Sequence, residues 1–129
     1  MTTAGLDPRL IAIEPKLSRE EQGRRAVRAL IASSRSFDGV FAVCDELALG
    51  ALRELTEAGI SVPGLAALIG FDGTRAAAQA MPPLSTIQPD FAAAGAMLVD
   101  KLLAGIAGEP HSERRVPVQL VPRASTARG

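Results

Sequence analysis

The sequence predicts an α/β fold in which a mostly parallel sheet is flanked by helices in three layers. Three short segments, 10–14, 39–44 and 66–71, are apolar almost throughout, and amphipathic helical segments separate them. Apolar strands that alternate with helices are typical of a parallel sheet buried on both faces. The chain has 129 residues, of which 47% are apolar and 22% charged, so we expect one globular domain with one core.

The first predicted unit is a strand followed by a helix. The strand at 10–14 ends before Pro15, which cannot continue a central strand. The S-x-x-E pattern from Ser18 to Glu21 is typical of a helix start. The apolar face of that helix would consist of Ala26, Val27, Leu30 and Ile31, with the arginines directed into solvent.

The second predicted unit repeats this order. After the strand at 39–44, Asp45 can cap a helix, and Gly59 is a natural residue to end it. Pro63 follows closely and prevents the helix from starting again. The buried face of this helix would consist of Leu47, Ala48, Ala51, Leu52 and Leu55.

The last third of the chain is less regular. Residues 84–87 are a candidate fourth strand, and 116–121 alternates in polarity, with Pro117 restricting it to an edge of the sheet. Residues 91–106 predict a helix that is apolar around much of its circumference and needs cover on more than one side. We expect this helix to be buried against a second copy of the chain.

Charge and composition exclude several classes of function. Lys and Arg total 14, equal to Asp and Glu, so nothing draws the whole chain to nucleic acid or to an anionic membrane. With a single cysteine, Cys44, and a single histidine, His111, neither a disulfide framework nor a Cys/His zinc site is expected. We predict no metal and no cofactor. The sequence has no apolar run of membrane-spanning length and no secretion signal, so we expect a cytoplasmic location.

An acidic residue follows each of the first three predicted strands: Glu14, Asp45 and Asp72. In open α/β sheets, ligands bind outside the carboxyl ends of the strands. Carboxylates at that edge can accept hydrogen bonds from sugar or other hydroxyls, or can hold a cation. Two structural interpretations stay open beside this one, because Asp45 can be only a helix cap and Asp72 only a turn residue.

A phosphatase is the enzymatic alternative. The segment 71–74, Phe-Asp-Gly-Thr, is similar to the second half of the D-x-D-G-T signature of haloacid-dehalogenase-type phosphatases. That chemistry needs a first aspartate as nucleophile, and Gly70 occupies its position. We therefore expect no enzymatic activity.

Five segments resemble the LacI-type (lactose/galactose repressor) regulators. Residues 41–53, FAVCDELALGALR, are similar to the family's F-A-x-N-D-x-M-A-x-G-A-L-R. Residues 58–63 and 69–72 resemble A-G-x-x-V-P and V-G-F-D at similar spacing. Residues 82–87 resemble P-P-L-T-T-I, and 120–125 resemble L-V-x-R-x-S. The order of the segments along the chain is that of the family.

The resemblance implies the C-terminal portion of a periplasmic-binding-protein-like effector domain, covering 1–129. Such a domain binds a small molecule, usually a sugar or nucleoside, in a cleft between two subdomains. The helix-turn-helix and the first subdomain have no counterpart here, so DNA would be contacted only through a segment outside this chain. The family also implies a homodimer, with no membrane partner. A periplasmic sugar-binding protein of a transporter and an interaction module without ligand are the alternatives.

The resemblance also assigns roles to individual residues. Asp45 matches an aspartate that binds ligand hydroxyls, Phe91 falls where a side chain lines the pocket, and Asp72 matches by motif. Leu49 and Arg53 lie on the outer flank of the second predicted helix and are candidates for the dimer interface. Three features depart from the family pattern. Cys44 replaces an asparagine, Pro89 lies near a common glutamine, and the segment 15–18, Pro-Lys-Leu-Ser, lacks the usual Asn or Asp before the helix.

Overall fold

The computed structural model of the chain describes residues 16–34, 36–110 and 113–127. In this part of the chain the elements are α1 Arg19–Ala32, β1 Gly39–Phe41, α2 Asp45–Glu57, β2 Ala67–Phe71, α3 Arg75–Gln79, β3 Ser85–Pro89, α4 Phe91–Ile106 and β4 Val118–Val121. A short 3₁₀ turn at Ala124–Thr126 follows β4. The predicted α/β class, with helices flanking a mostly parallel sheet, is confirmed.

The four described strands form one sheet in the order β1-β2-β3-β4. β1 pairs with β2 and β2 with β3 in parallel, and Val40 lies opposite Leu68 as predicted. β4 pairs with β3 antiparallel, a direction that was not predicted. It lies at the edge of the described sheet, as Pro117 predicted. The predicted strand at 10–14 lies outside the described residues, and so does its pairing.

α1 and α2 touch backbone to backbone. A Cβ atom at Gly50 would lie 1.9 Å from the carbonyl oxygen of Glu20, and one at Gly23 would lie 2.1 Å from that of Leu47. No side chain fits at either position, so two glycines set this helix contact. The predicted buried face of α2 is confirmed in full: Leu47, Ala48, Ala51, Leu52 and Leu55.

The predicted apolar face of α1 is only partly buried: Val27 is buried, but Ala26, Leu30 and Ile31 are half-buried, and the helix also buries Gln22 and Gly23, which were not predicted. Two of its arginines also make ion pairs across the helix contact, although we expected them to be solvated. Arg28 Nε lies 2.8 Å from Glu54 Oε1, and Arg24 Nε lies 3.1 Å from Glu54 Oε2. The Arg28 guanidinium, followed by Arg24, lowers the pKa of the Glu54 carboxyl below its ordinary value of 4.5.

α4 has the predicted bounds, Phe91–Ile106, but none of its residues is buried. Five large apolar side chains beyond its first residue are more than half exposed: Leu98, Val99, Leu102, Leu103 and Ile106. The segments on either side of the helix are joined, because the Asp90 N–H donates to the Pro117 carbonyl oxygen at 2.9 Å. α4 is thus not folded back onto the sheet in the described residues, and its burial against a second copy stays a prediction.

The 3₁₀ turn after β4 is tied to the sheet by buried hydroxyl groups. Ser125 Oγ donates to the Leu68 carbonyl oxygen at 2.6 Å and accepts from the Ser85 N–H at 2.8 Å. The Arg123 guanidinium donates to the Leu84 carbonyl oxygen. These contacts hold the end of the described chain against β2 and β3.

Candidate functional site

The carboxyl ends of β1, β2 and β3 lie along one edge of the sheet. The residues that follow them are Val43 and Cys44, then Asp72 and Gly73, then Phe91 after the cap of α4. Neighbouring strands are about 4.8 Å apart, so the edge from β1 to β3 is about 10 Å wide. The third acidic residue expected here, at position 14, lies outside the described residues.

Asp45 occupies a different position from the one we expected. The N-cap of α2 is Cys44, and Asp45 is the first residue of the helix. Its side chain is completely buried. Its carboxylate accepts hydrogen bonds from the Thr74 N–H and from Thr86 Oγ1, both at 2.7 Å. The carboxylate therefore faces the interior and not the open edge, while its ligand role stays a prediction.

The buried carboxylate needs the glycine behind it. A Cβ atom at Gly70 would lie 2.3 Å from Asp45 Oδ1, so no larger residue fits while the carboxylate keeps this position. Thr86 Oγ1 also accepts from the Gly73 N–H at 3.2 Å, which ties the turn after β2 to β3. Thr86 was not predicted from the sequence, because only the fold brings it to Asp45.

Asp72 has the most unusual backbone of the edge. Its φ angle is +116°, in the region that favours glycine. Its N–H donates to the Ile87 carbonyl oxygen at 2.8 Å. Hydrogen bonds from the next two residues to Thr86 and Asp45 hold the turn in this conformation. Strained residues of this kind cluster at binding and catalytic sites.

The Asp72 side chain is half-buried and makes no hydrogen bond or ion pair with the rest of the described chain. Phe91, the first residue of α4, is 62% exposed, and Val43 after β1 is 63% exposed. Among the described residues, the edge therefore offers a carboxylate without a partner, that of Asp72, between apolar side chains. Within the described ranges, no three His, Cys, Asp or Glu side chains lie where they could hold a metal ion.

The two predicted interface residues lie on the outer side of α2. Leu49 is half-buried and packs against the core. Arg53 is exposed and makes ion pairs within the chain, with Glu57 at 3.1 Å and with Glu20 at 3.5 Å. Leu49 and Arg53 also line a shallow groove together with Met81, whose side chain is 87% exposed.

A family profile described as the periplasmic binding protein-like domain matches residues 1–126 of the chain. The chain belongs to this family. Among relatives of this periplasmic binding protein-like domain is the HTH-type transcriptional regulator MalR of Streptomyces coelicolor. It is 38% identical over 109 residues, which are 83% of this chain and 31% of the regulator. A lactose operon repressor of Rhizobium radiobacter is 32% identical over 106 residues, which are 81% of this chain and 94% of that one.

Solved structures agree with the sequence relatives. A LacI family transcriptional regulator from Arthrobacter, in complex with lactose, superimposes on this periplasmic binding protein-like domain with a TM-score of 0.81 at 30% identity. The match covers 98% of this chain and 47% of that one. The predicted resemblance to LacI-type effector domains is therefore confirmed. The chain spans 31% of the length of MalR.

Among the described residues, no helix combines the length and the apolar composition that a membrane span needs.

Proposed function

We propose that the chain forms the C-terminal part of the effector-binding domain of a LacI-type transcriptional regulator. It binds a small molecule, sugar-like or nucleoside-like, at the carboxyl ends of β1, β2 and β3, and it catalyses no reaction. DNA is contacted through a helix-turn-helix outside the residues that the structure describes. The regulator acts in the cytoplasm as a homodimer.

The main support for a ligand site at this edge is the backbone conformation of Asp72. A non-glycine residue at φ +116° costs about 1–3 kcal/mol, and its side chain finds no partner within the described chain. The turn is held in place from behind by Asp45, which is fully buried. A carboxylate held in this way is available to accept hydrogen bonds from a ligand hydroxyl or N–H group.

Three side chains have different roles at this edge. Asp72 accepts hydrogen bonds from the ligand, and Phe91 packs against its apolar face. Asp45 acts through the turn, because its carboxylate accepts from the Thr74 N–H two residues after Asp72. The phosphatase alternative has no support, since Gly70 leaves no room for a nucleophile beside the Asp45 carboxylate.

Titration of the ¹⁵N-labelled chain tests the proposal, with methyl β-galactoside, lactose and inosine as probes at millimolar concentration. We expect at least one probe to shift the amide resonances of 42–44, 72–74, 88, 90 and 91. Asp72→Asn should weaken that binding by about 1.5–3 kcal/mol, the contribution of a hydrogen bond to a charged group.

The matched control is Asp100→Asn, which removes an exposed carboxylate on α4 away from the strand ends. It should leave the affinity unchanged. The proposal is wrong if none of these probes shifts resonances at the edge, or if Asp72→Asn binds as tightly as Asp100→Asn.

We also propose that Leu49 and Arg53 belong to an interface between two copies of the chain. A half-buried leucine beside the exposed Met81 gives the outer side of α2 an apolar centre. Leu49→Glu would place a charge in that centre and should lower the molar mass measured by light scattering. Ala29→Glu, on the exposed side of α1, is the control, and equal masses for the two variants would refute this interface.

A further inference from the structure

The first three helices all lie on one face of the sheet. α1, α2 and α3 each contribute side chains to the buried core cluster that contains Leu68 of β2. Side chains alternate along a strand, so Ile69 and Phe71 point to the other face. Among the described elements, only the 3₁₀ turn after β4 packs there, over Ser85, which is paired with Ile69. Parallel sheets normally have helices on both faces, so the described residues lack one helical layer.

The second face of the sheet carries a patch of apolar side chains, which we call the open face. The strand register places Phe41 beside Ile69, and it places Phe71, Ile87 and Leu120 in one row. Phe41 and Leu120 are 56% and 57% exposed. The other three side chains are half-buried and do not pack against the core cluster. The open face therefore reaches across all four described strands, a width of about 14 Å.

The two long sides of α4 differ in composition. On one side, a hollow is shared between the helix and the segment that returns to β4: Met97, Asp100, Lys101 and Ala104 face Glu109, Pro110 and Arg114. On the other side lies what we call the apolar stripe of α4: Leu98, Val99, Leu102, Leu103 and Ile106, which are 56–75% exposed. At about 100° per residue, the stripe fills an arc of about 140°, a width typical of a helix that packs on a core.

We propose that the apolar stripe of α4 docks on the open face of a second copy of the chain, and that the two copies exchange their helices reciprocally. The sheet lacks a helical layer and α4 lacks a sheet, so each surface supplies what the other needs. Neither surface contains a charged side chain, so docking leaves no charge buried without a partner. A symmetric pair is the simplest closed assembly that satisfies both surfaces.

The helix does not cover the open face of its own chain. None of the α4 residues is buried. The helix starts beyond the carboxyl end of β3, where the hydrogen bond from the Asp90 N–H to the Pro117 carbonyl oxygen closes the base of the segment. This geometry directs α4 away from its own sheet and makes it available to a partner.

The proposed contact has the size of a specific interface. A helix of 16 residues is about 24 Å long and about 10 Å wide. Two reciprocal contacts of this footprint, counted on both surfaces, bury about 1,000 Å², which is the lower limit for a stable interface. The contact does not involve the groove at Leu49 and does not depend on the proposed ligand site.

Disulfide cross-linking between copies tests the docking, in chains whose single cysteine is removed by Cys44→Ala. Leu102→Cys lies in the apolar stripe and Leu120→Cys in the open face. The two variants are unfolded in urea, mixed, refolded together and oxidised. We expect a several-fold higher yield of covalent dimer from the mixture than from either variant alone. Ala104→Cys, on the side of α4 that faces the return segment, is the matched control and should form no dimer with Leu120→Cys.

A second measurement uses a charge in place of a cross-link. Leu120→Glu places a carboxylate in the open face, so it should lower the molar mass measured by light scattering and raise the binding of a hydrophobic dye. Gln119→Glu, on the same strand, puts the charge on the opposite face and should change neither quantity. Both positions are exposed, and far-UV circular dichroism verifies that each variant keeps its fold.

Three results would overturn the proposal. Covalent dimers from Leu102→Cys alone, in the yield of the mixture, would show that α4 packs on α4. An internal disulfide in a monomeric chain that carries both cysteines would show that α4 covers its own sheet. Equal molar masses for Leu120→Glu and Gln119→Glu would show that the open face makes no contact with another copy.

Discussion

Replacing Asp45 by alanine tests whether this buried carboxylate holds the candidate site together. The change removes hydrogen bonds to the Thr74 N–H and to Thr86 Oγ1, both 2.7 Å long. A hydrogen bond to a charged group contributes about 1.5–3 kcal/mol, and deleting the charge recovers part of its desolvation cost. We therefore expect the free energy of unfolding to fall by about 3 kcal/mol. For a chain of this size that lowers Tm by about 12 °C.

Asp45→Asn should be milder, because the amide oxygen can accept from Thr74 while the NH₂ group donates to Thr86. We expect a loss of about 1 kcal/mol, so the stabilities rank parent, asparagine variant, alanine variant. Urea unfolding followed by far-UV circular dichroism measures this order. The control is Glu46→Ala, which removes the exposed carboxylate next along α2 and should cost less than about 0.5 kcal/mol. Equal midpoints for the alanine variants of Asp45 and Glu46 would refute the reasoning.

Three further predictions follow from the packing. Gly50→Ala should destabilise the fold by about 1–3 kcal/mol because its Cβ meets the α1 backbone, whereas Gly95→Ala on α4, with nothing within 4 Å, should be neutral or stabilising in the same urea assay. The lowered pKa of Glu54 stabilises the folded state above pH 4.5, and this contribution is lost as the pH falls through the lowered value. Glu54→Gln should therefore flatten the fall of Tm in acid, and an unchanged acid profile would contradict the ion pairs. Finally, the chain should self-associate through α4, so a dilute monomer that binds no hydrophobic dye would show this prediction to be wrong.

The elements that the sequence predicted well are those with a local signal. The buried face of α2 follows from its helical spacing, and the parallel pairing of Val40 with Leu68 follows from apolar strands separated by a helix. The start of α1 is another example, because Ser18 Oγ accepts from the Glu21 N–H as the S-x-x-E pattern predicts. Such signals need only neighbouring residues.

The parts that the sequence did not predict depend on contacts between distant residues. Asp45 is polar and follows a strand, which is typical of an exposed site residue. It is buried because Thr86, 41 residues later, supplies a donor to its carboxylate. Arg28 likewise reaches Glu54 across 26 residues. Spacing along the chain carries no signal for such pairs, and only the helix contact set by Gly23 and Gly50 brings the second pair together.

The hydrogen bond from the Asp90 N–H to the Pro117 carbonyl oxygen joins the two ends of the segment that contains α4. This segment, 91–116, is an insertion between β3 and β4 and is here called the arm. The chain leaves the sheet at the end of β3 and returns beside it at the start of β4, so both ends of the arm are attached to neighbouring strands. Its length and sequence can change without altering the order or register of the sheet. A partner that packs against the arm would be connected to this domain through these two crossings, beside the Asp90–Pro117 hydrogen bond.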